Sequence, residues 1–99
     1  MKYIQNDKIN QRQLDNEVML ILPRYITEQY SPEKSDDTLL FLEKTGYEIW
    51  DSIREGRTML EIIQHMQLLY DVDEETLRKD VEIFLKQGIT LGIIIELND

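Results

Sequence analysis

The chain has 99 residues, of which 41% are hydrophobic and 31% are charged, and its formal net charge is −9. This composition is typical of one globular domain with a modest core. The absence of cysteine excludes disulfides, thiolate metal sites and cysteine nucleophiles. The acidity disfavours nucleic-acid binding, which depends on basic side chains at the phosphates.

No apolar run is long enough to cross a bilayer, and the first ten residues lack the apolar segment of a signal peptide. We therefore expect a cytoplasmic protein that does not bind membranes. The four glycines are isolated, so no phosphate-binding loop is predicted, and we expect no cofactor.

The N-terminal part of the chain has the pattern of strands. Residues Val18 to Leu22 precede Pro23 and alternate with a period of two, and Asp15-Asn16 is a plausible turn between them and a weaker strand, Ile9 to Leu14. The polar segment Arg24 to Asp37 is predicted as a loop, and Thr38 to Leu42 as a third strand.

Three predicted helices follow, each with its own start signal. Thr45 with Glu48, and Thr58 with Glu61, have the T-x-x-E spacing of a capping box, in which two side chains satisfy backbone N–H groups reciprocally. Asp73 precedes the third helix and is a good N-cap residue.

The end of the chain again has the pattern of a strand. Gly56 is predicted as a turn residue and Gly88 as the residue that ends the third helix. From Ile89 to Leu97, apolar residues recur with a period of two. The predicted fold is α+β and winged-helix-like: an N-terminal three-stranded antiparallel sheet, a three-helix bundle and a C-terminal strand, all in one domain over 1–99.

No catalytic or metal site is predicted. His65 is the only histidine, and with Glu61 one turn earlier it supplies two ligands where a metal site needs three or four. We interpret it as an ordinary surface or half-buried histidine. Because no nucleophile, base and oxyanion-stabilising group can be assembled, we predict that the protein is not an enzyme.

The predicted strand Thr38 to Leu42 contains no Pro, Lys or other charged residue that would protect a sheet edge. If the strand lies at the edge of its sheet, it can dock an extended peptide. Alternatively, the segment 24–37 or the C-terminal strand covers it. The same edge, or the strand 89–97, is also a predicted site for pairing with a second copy.

Three segments carry a resemblance to a known family: LLFLEKTGYEIWDSI at 39–53, GRTMLEII at 56–63 and YDVDEETLRKDVEIFLKQGI at 70–89. Together they resemble the PqqD-like proteins, the precursor-peptide recognition elements of pathways that modify ribosomally made peptides. The resemblance is strongest over 38–89. The chain departs from the family pattern at Glu43, where asparagine is usual, and in the long connection 24–37.

The resemblance implies a binding function without chemistry. It implies that the leader of a precursor peptide adds as a strand to the third strand, and that the protein delivers it to a peptide-modifying enzyme. Carried over by position, the backbone partners are Thr38, Leu39, Leu40 and Phe41, and the wall of the groove is formed by the third-helix residues Leu77, Arg78, Val81, Glu82 and Leu85.

The alternative is a winged-helix DNA-binding regulator, because three helices and a terminal strand also describe that fold. The third helix distinguishes the two hypotheses. From Asp73 to Gln87 it holds more acidic than basic residues, whereas a recognition helix in the major groove is expected to be basic. We therefore favour the peptide-binding adaptor.

Overall fold

The computed structural model describes residues 1–26 and 38–98. In this part of the chain it contains five strands, three helices and a short helical segment at residues 24–26. The strands are β1 Lys2–Gln5, β2 Asn10–Leu14, β3 Glu17–Leu22, β4 Thr38–Glu43 and β5 Ile94–Leu97, and the helices are α1 Lys44–Ser52, α2 Met59–Leu69 and α3 Glu74–Leu91. Within these residues no helix is long and apolar enough to cross a membrane.

Strands β2, β3 and β4 form one antiparallel sheet in that order. The alternation predicted for β3 is confirmed, because Val18, Leu20 and Leu22 are buried while the residues between them are partly exposed. The α+β class, the N-terminal three-stranded antiparallel sheet and the C-terminal strand are confirmed. The loop predicted over 24–37 is wrong at its start, because residues 24–26 are helical and the Ile26 N–H donates to the Pro23 carbonyl at 3.0 Å; the rest of it lies outside the described residues.

A second sheet was not predicted. Strand β1 pairs antiparallel with β5, with Lys2 opposite Leu97 and Gln5 opposite Ile94. Tyr3 also exchanges two backbone hydrogen bonds with Arg57, at 2.8 and 3.0 Å, which attaches β1 to the turn before α2. The two ends of the chain are therefore held together.

The start of α1 differs from the prediction. β4 passes directly into α1, whose N-cap residue is Glu43 and makes no side-chain cap. The predicted capping box of Thr45 and Glu48 is wrong, because both residues lie inside the helix. The entry passes through Lys44 at a φ of +53°, a left-handed conformation that is costly for a residue with a Cβ.

The other two helix starts are confirmed. Thr58 and Glu61 form the predicted capping box at α2: Thr58 Oγ1 accepts the Glu61 N–H at 3.2 Å, and Glu61 Oε1 accepts the Thr58 N–H at 2.9 Å. At α3, Asp73 Oδ1 accepts the Thr76 N–H at 2.8 Å.

The end of α3 corrects two predictions. The helix does not stop at Gly88 but continues to Leu91, and Gly92 follows it in the left-handed region at a φ of +81°. The Gly92 N–H donates to the carbonyl of Ile89, and the Ile93 N–H to that of Gly88, which is the pattern of a Schellman cap. The C-terminal strand is accordingly shorter than the predicted 89–97.

The core lies between the three-stranded sheet and the helices. Trp50, Ile53, Ile62 and Met66 are almost completely buried there. At its margin, polar side chains join three elements: the Trp50 indole N–H donates to Gln11, Gln11 to Gln5, and Gln5 to the Trp50 carbonyl. This closed set of hydrogen bonds holds α1 against β1 and β2, and so positions the helix that follows β4.

Candidate functional site

The outer edge of β4 is the first component of the candidate site. The strand order β2-β3-β4 leaves β4 with a partner on one side only, among the described residues. In an antiparallel pair, alternate residues direct their N–H and C=O groups toward the partner, so the others point away from it. The edge therefore presents a row of free donors and acceptors that another extended chain can pair with.

The side chains of β4 alternate as its pairing with β3 requires. Leu39 and Phe41 lie on the face directed away from the core and are 56% and 54% exposed. Leu40 and Leu42 lie opposite buried residues of β3 and pack on the core side. The strand begins with Thr38, opposite Leu22. All four predicted backbone partners thus belong to this edge strand.

The predicted wall residues of α3 are placed differently. Leu77, Val81 and Leu85 are 3%, 0% and 2% exposed, respectively, and form the core face of the helix. They form one stripe because they are spaced by four residues. A bound peptide cannot reach them without moving their neighbours.

Arg78 and Glu82 lie on a different flank of α3, also one turn apart. Burial raises the pKa of Tyr3, and the charges of Glu96 and Glu82 raise it further. Arg78 pairs with Glu74 at 3.6 Å.

An open cavity of about 220 Å³ lies between α1 and the other flank of α3. Its apolar side chains are Ile49, which is buried, Phe84, which is half-buried, and Ile83, which is exposed. The remaining lining residues are Thr45, Gly46, Asp80 and Gln87. We call this cavity the α1–α3 pocket.

The α1–α3 pocket is on the flank of α1 that faces away from β2. The flank of α1 that carries Tyr47 faces β2, because Gln13 Nε2 donates to the Tyr47 hydroxyl at 2.8 Å. β2 and β4 are at opposite edges of the sheet. Thr45 and Gly46, which line the pocket, are on the other side of α1 from Tyr47.

Sequence reasoning did not include Ile83 and Phe84 in the predicted groove wall, which it placed on residues that include the core stripe Leu77, Val81 and Leu85. The sequence signal that could have identified them is the width of the apolar face of α3. Phe84 is adjacent to Leu85 and widens the apolar face, and Ile83 lies beyond any face centred on Val81. An apolar residue outside the core stripe is a candidate for contact with a partner.

A second cleft, of about 570 Å³, lies at the other flank of α1 and is acidic. It is lined by Tyr47, Tyr70 and the hairpin turn, together with Glu17, Glu43 and Glu48. Glu17 and Glu43 are direct cross-strand neighbours, an arrangement that is unfavourable for like charges. This surface gives the C-terminal end of β4 a negative potential.

His65 is half-buried, and the carboxylate of Glu61 is engaged in the cap of α2. The hydrogen bonds from Thr58 hold the pKa of Glu61 below its ordinary value. Over the described parts of the chain, no three side chains of His, Cys, Asp or Glu come together in a way that could hold a metal ion.

Comparison with known proteins identifies the family. The sequence model described as "Coenzyme PQQ synthesis protein D (PqqD)" matches residues 30–94, well over half of the chain. The chain belongs to the PqqD family. The match contains β4 and all three helices, so both sides of the candidate site lie in the part of the chain that defines this PqqD-family protein.

Among solved structures, the PqqD-family chain is similar to "TbiB1 in Complex with the TbiA(beta) Leader Peptide". The two chains are 23% identical, the alignment covers 97% of this chain and 99% of the other, and the TM-score is 0.77. This similarity shows a shared fold over nearly the whole length of both chains. A search of curated proteins finds no match.

Proposed function

We propose that this protein is a non-catalytic adaptor that binds the leader segment of a ribosomally made precursor peptide by strand addition to β4 and presents it to a peptide-modifying enzyme. The observation that carries the proposal is the open edge of β4 in a PqqD-family fold. Main-chain hydrogen bonds along such an edge supply affinity, and pockets for alternate side chains supply specificity.

The similar solved structure supports the same proposal, because it is a complex with a leader peptide. That chain and this one correspond almost from end to end. In this protein Thr38, Leu39, Leu40 and Phe41 supply the edge. The helical wall beside it is formed by the flank of α3 with Ile83 and Phe84, in place of Leu77, Val81 and Leu85, which are in the core.

The charges of α3 do not favour the DNA-binding alternative. Arg78 and Lys79 lie 3.6 and 3.9 Å from Glu74 and Glu75, respectively. A recognition helix needs cations that are free to contact phosphates. On this helix two of the basic side chains instead have acidic neighbours of their own.

The proposal is tested by two proline variants of β4, Leu40→Pro and Phe41→Pro. Adjacent residues of a strand direct their N–H groups to opposite sides, so one variant removes an outward N–H and the other removes a hydrogen bond to β3. Hydrogen exchange of the free protein identifies the outward N–H, because it exchanges faster. The probe is a synthetic peptide covering the leader half of the precursor encoded beside the gene for this protein.

We expect calorimetry to show binding to the unaltered protein and at least about a tenfold loss for the outward variant, since a ladder bond is lost and the edge is distorted. Its melting temperature should fall less than that of the inward variant, which serves as the control. If each of the two variants loses affinity only in proportion to its own loss of stability, strand addition is contradicted. Binding to duplex DNA in place of the peptide supports the regulator.

The wider context of the proposal has three parts. Residues 1–99 act as one domain, delivery takes place in the cytoplasm where ribosomal precursors are made, and the recipient is an enzyme that modifies peptides.

A second copy pairing at β4 would compete with the peptide for the same edge. Sedimentation of the protein with and without peptide tests this, because peptide should then convert dimers to monomers.

A further inference from the structure

We infer that two copies of this protein pair through the outer face of α2, helix against antiparallel helix, in a dimer that leaves the β4 edge of each copy open. The inference goes beyond the proposed function and does not depend on it. It differs from the pairing of strand edges predicted from the sequence, because neither β4 nor β5 takes part in it.

The outer face of α2 carries exposed leucines. Leu68 is 85% exposed, the highest value among the large hydrophobic side chains of the described residues, and Leu60 is 53% exposed. The opposite side of the helix faces the core and is formed by Ile62, Ile63 and Met66, which are completely buried. Apolar surface that is gathered on one exposed face marks a site of interaction with another protein.

This face is separate from the edge proposed to bind the peptide. α2 packs mainly against α1 and α3, whereas β4 packs mainly against β3 and α1. A second copy on α2 and a peptide on β4 therefore use different elements of the fold, and the two do not compete.

The shape of the face suits a second α2. Leu60, Gln64 and Leu68 are spaced by four residues and so form one ridge along the helix. An open groove of about 460 Å³ lies beside the ridge. The groove is lined by Arg57, Glu61, Gln64, His65 and Leu68. Ridges of this spacing pack into the matching grooves of another helix in the commonest class of helix packing. In a two-fold dimer each ridge lies in the groove of the other copy, since both copies present the same surface.

The charges favour the antiparallel arrangement. Arg57 precedes α2 and Asp71 follows it, so an antiparallel pair places each of them toward the opposite charge of the second copy. The positive N-terminal end of each helix dipole likewise lies near the negative C-terminal end of the other. Gln64, near the centre, lies close to its own copy, and its amide group both donates and accepts hydrogen bonds.

The size of the face predicts a weak dimer. α2 has 11 residues and is therefore about 16 Å long and about 10–12 Å across with its side chains. Such a face is smaller than the roughly 800 Å² that each partner buries in a stable interface of standard size. We expect reversible pairing that is half complete at roughly 100 μM protein.

The test is sedimentation equilibrium of the full chain without peptide, from about 10 μM to about 1 mM protein. Leu68→Asp is compared with Leu69→Asp as the matched control. Both leucines are exposed at the end of α2 and both substitutions add the same charge, but Leu69 belongs neither to the ridge nor to the groove. Gln64→Leu is the opposite change, because it makes the ridge entirely apolar.

We expect the unaltered protein to pass from monomer to dimer over this range. Leu68→Asp should weaken the pairing about tenfold or more, and Leu69→Asp should change it less than about threefold, because only Leu68 is covered in the dimer. Gln64→Leu should strengthen the pairing at least about threefold. The synthetic leader peptide, added in excess, should leave the dimer intact.

Each contrary result has a defined meaning. A monomer at every concentration, equal effects of Leu68→Asp and Leu69→Asp, or no strengthening by Gln64→Leu overturns the inference. Dissociation of the dimer by the leader peptide also overturns it, since pairing would then use the β4 edge. If the peptide does not bind at all, the proposed function fails, while the sedimentation of the protein alone still decides the inference about α2.

Discussion

At the scale of single residues, Gly88 shows most clearly how packing determines what a residue does. It lies inside α3, and a Cβ there would overlap Ile94 Cδ1 and lie 2.7 Å from Ile94 Cγ1. Ile94 is buried at the start of β5. The glycine therefore allows β5 to pack against the helix.

We predict that Gly88→Ala destabilises the protein by about 1–3 kcal/mol, the usual cost of overpacking a core, even though alanine is the better helix former. Ile94→Val removes the Cδ1 atom that the new Cβ would meet. Denaturant unfolding of the two single variants and the double variant should show that Ile94→Val offsets part of the cost of Gly88→Ala. If the losses in the free energy of unfolding of the two single variants are strictly additive in the double variant, the contact with Ile94 is not the cause of the destabilisation by Gly88→Ala.

The sequence could not predict this role. A glycine after an apolar helical stripe favours a helix end, and the period of two from Ile89 onward supported that interpretation. The contact with Ile94 depends on how β5 folds back, which no local pattern contains. By contrast, the caps at Thr58 and Asp73 were predictable, because the side chain and the backbone group it binds are three residues apart.

At the scale of elements, the start of α3 depends on ionised Asp73. Hydrogen bonds from the Thr76 backbone N–H and from its hydroxyl hold the pKa of Asp73 below its ordinary value of 3.8. A carboxyl whose pKa is lower in the folded state contributes stability above its unfolded pKa, and this contribution is lost as the pH falls through the folded pKa.

We predict that Asp73→Asn lowers the melting temperature at neutral pH and that the difference from the unaltered protein shrinks as the pH falls below about 4. Thermal unfolding followed by circular dichroism at several pH values measures this. Glu75→Gln is the control, because Glu75 is exposed in the same first turn and accepts no cap hydrogen bond. If the difference in melting temperature between Asp73→Asn and the unaltered protein stays constant down to pH 2, ionised Asp73 does not stabilise the start of α3 as assigned.

The element that the sequence failed to predict is β1, together with its pairing to β5. Both strands have only four residues, and their partners are at opposite ends of the chain. Pairing over that separation leaves no local signature. The three-stranded sheet was predictable because its first two strands form a hairpin with a plausible turn and because β3 has a clear alternation.

At the scale of the whole molecule, the sequence was sufficient for the fold class and for the edge of β4, but not for the helical side of the candidate site. The resemblance placed the groove wall on α3 by position. Which flank of α3 faces β4 depends on the packing of α1, whose orientation is held by Trp50, Gln11 and Gln5. We therefore propose Ile83 and Phe84, in place of the core stripe, as the wall.

The net charge of −9 and the acidic cleft at the C-terminal end of β4 lead to a prediction about the partner. A basic or neutral leader peptide should bind more tightly than an acidic one, and binding should weaken modestly as salt screens the charges. Calorimetry between 50 and 500 mM NaCl measures this. The Debye length is about 10 Å at roughly 100 mM salt and becomes shorter as salt is added. Tighter binding at high salt would contradict it.

The most direct test of the central claim is hydrogen exchange of the β4 backbone, amide by amide, with and without the leader peptide. Strand addition predicts that every second amide from Leu39 to Glu43 gains protection when the peptide binds, because the alternate amides already donate to β3. The amides of β1 and β5, which pair with each other, should not change. Protection that is absent from β4, or that appears instead at the β1–β5 sheet, would contradict the account.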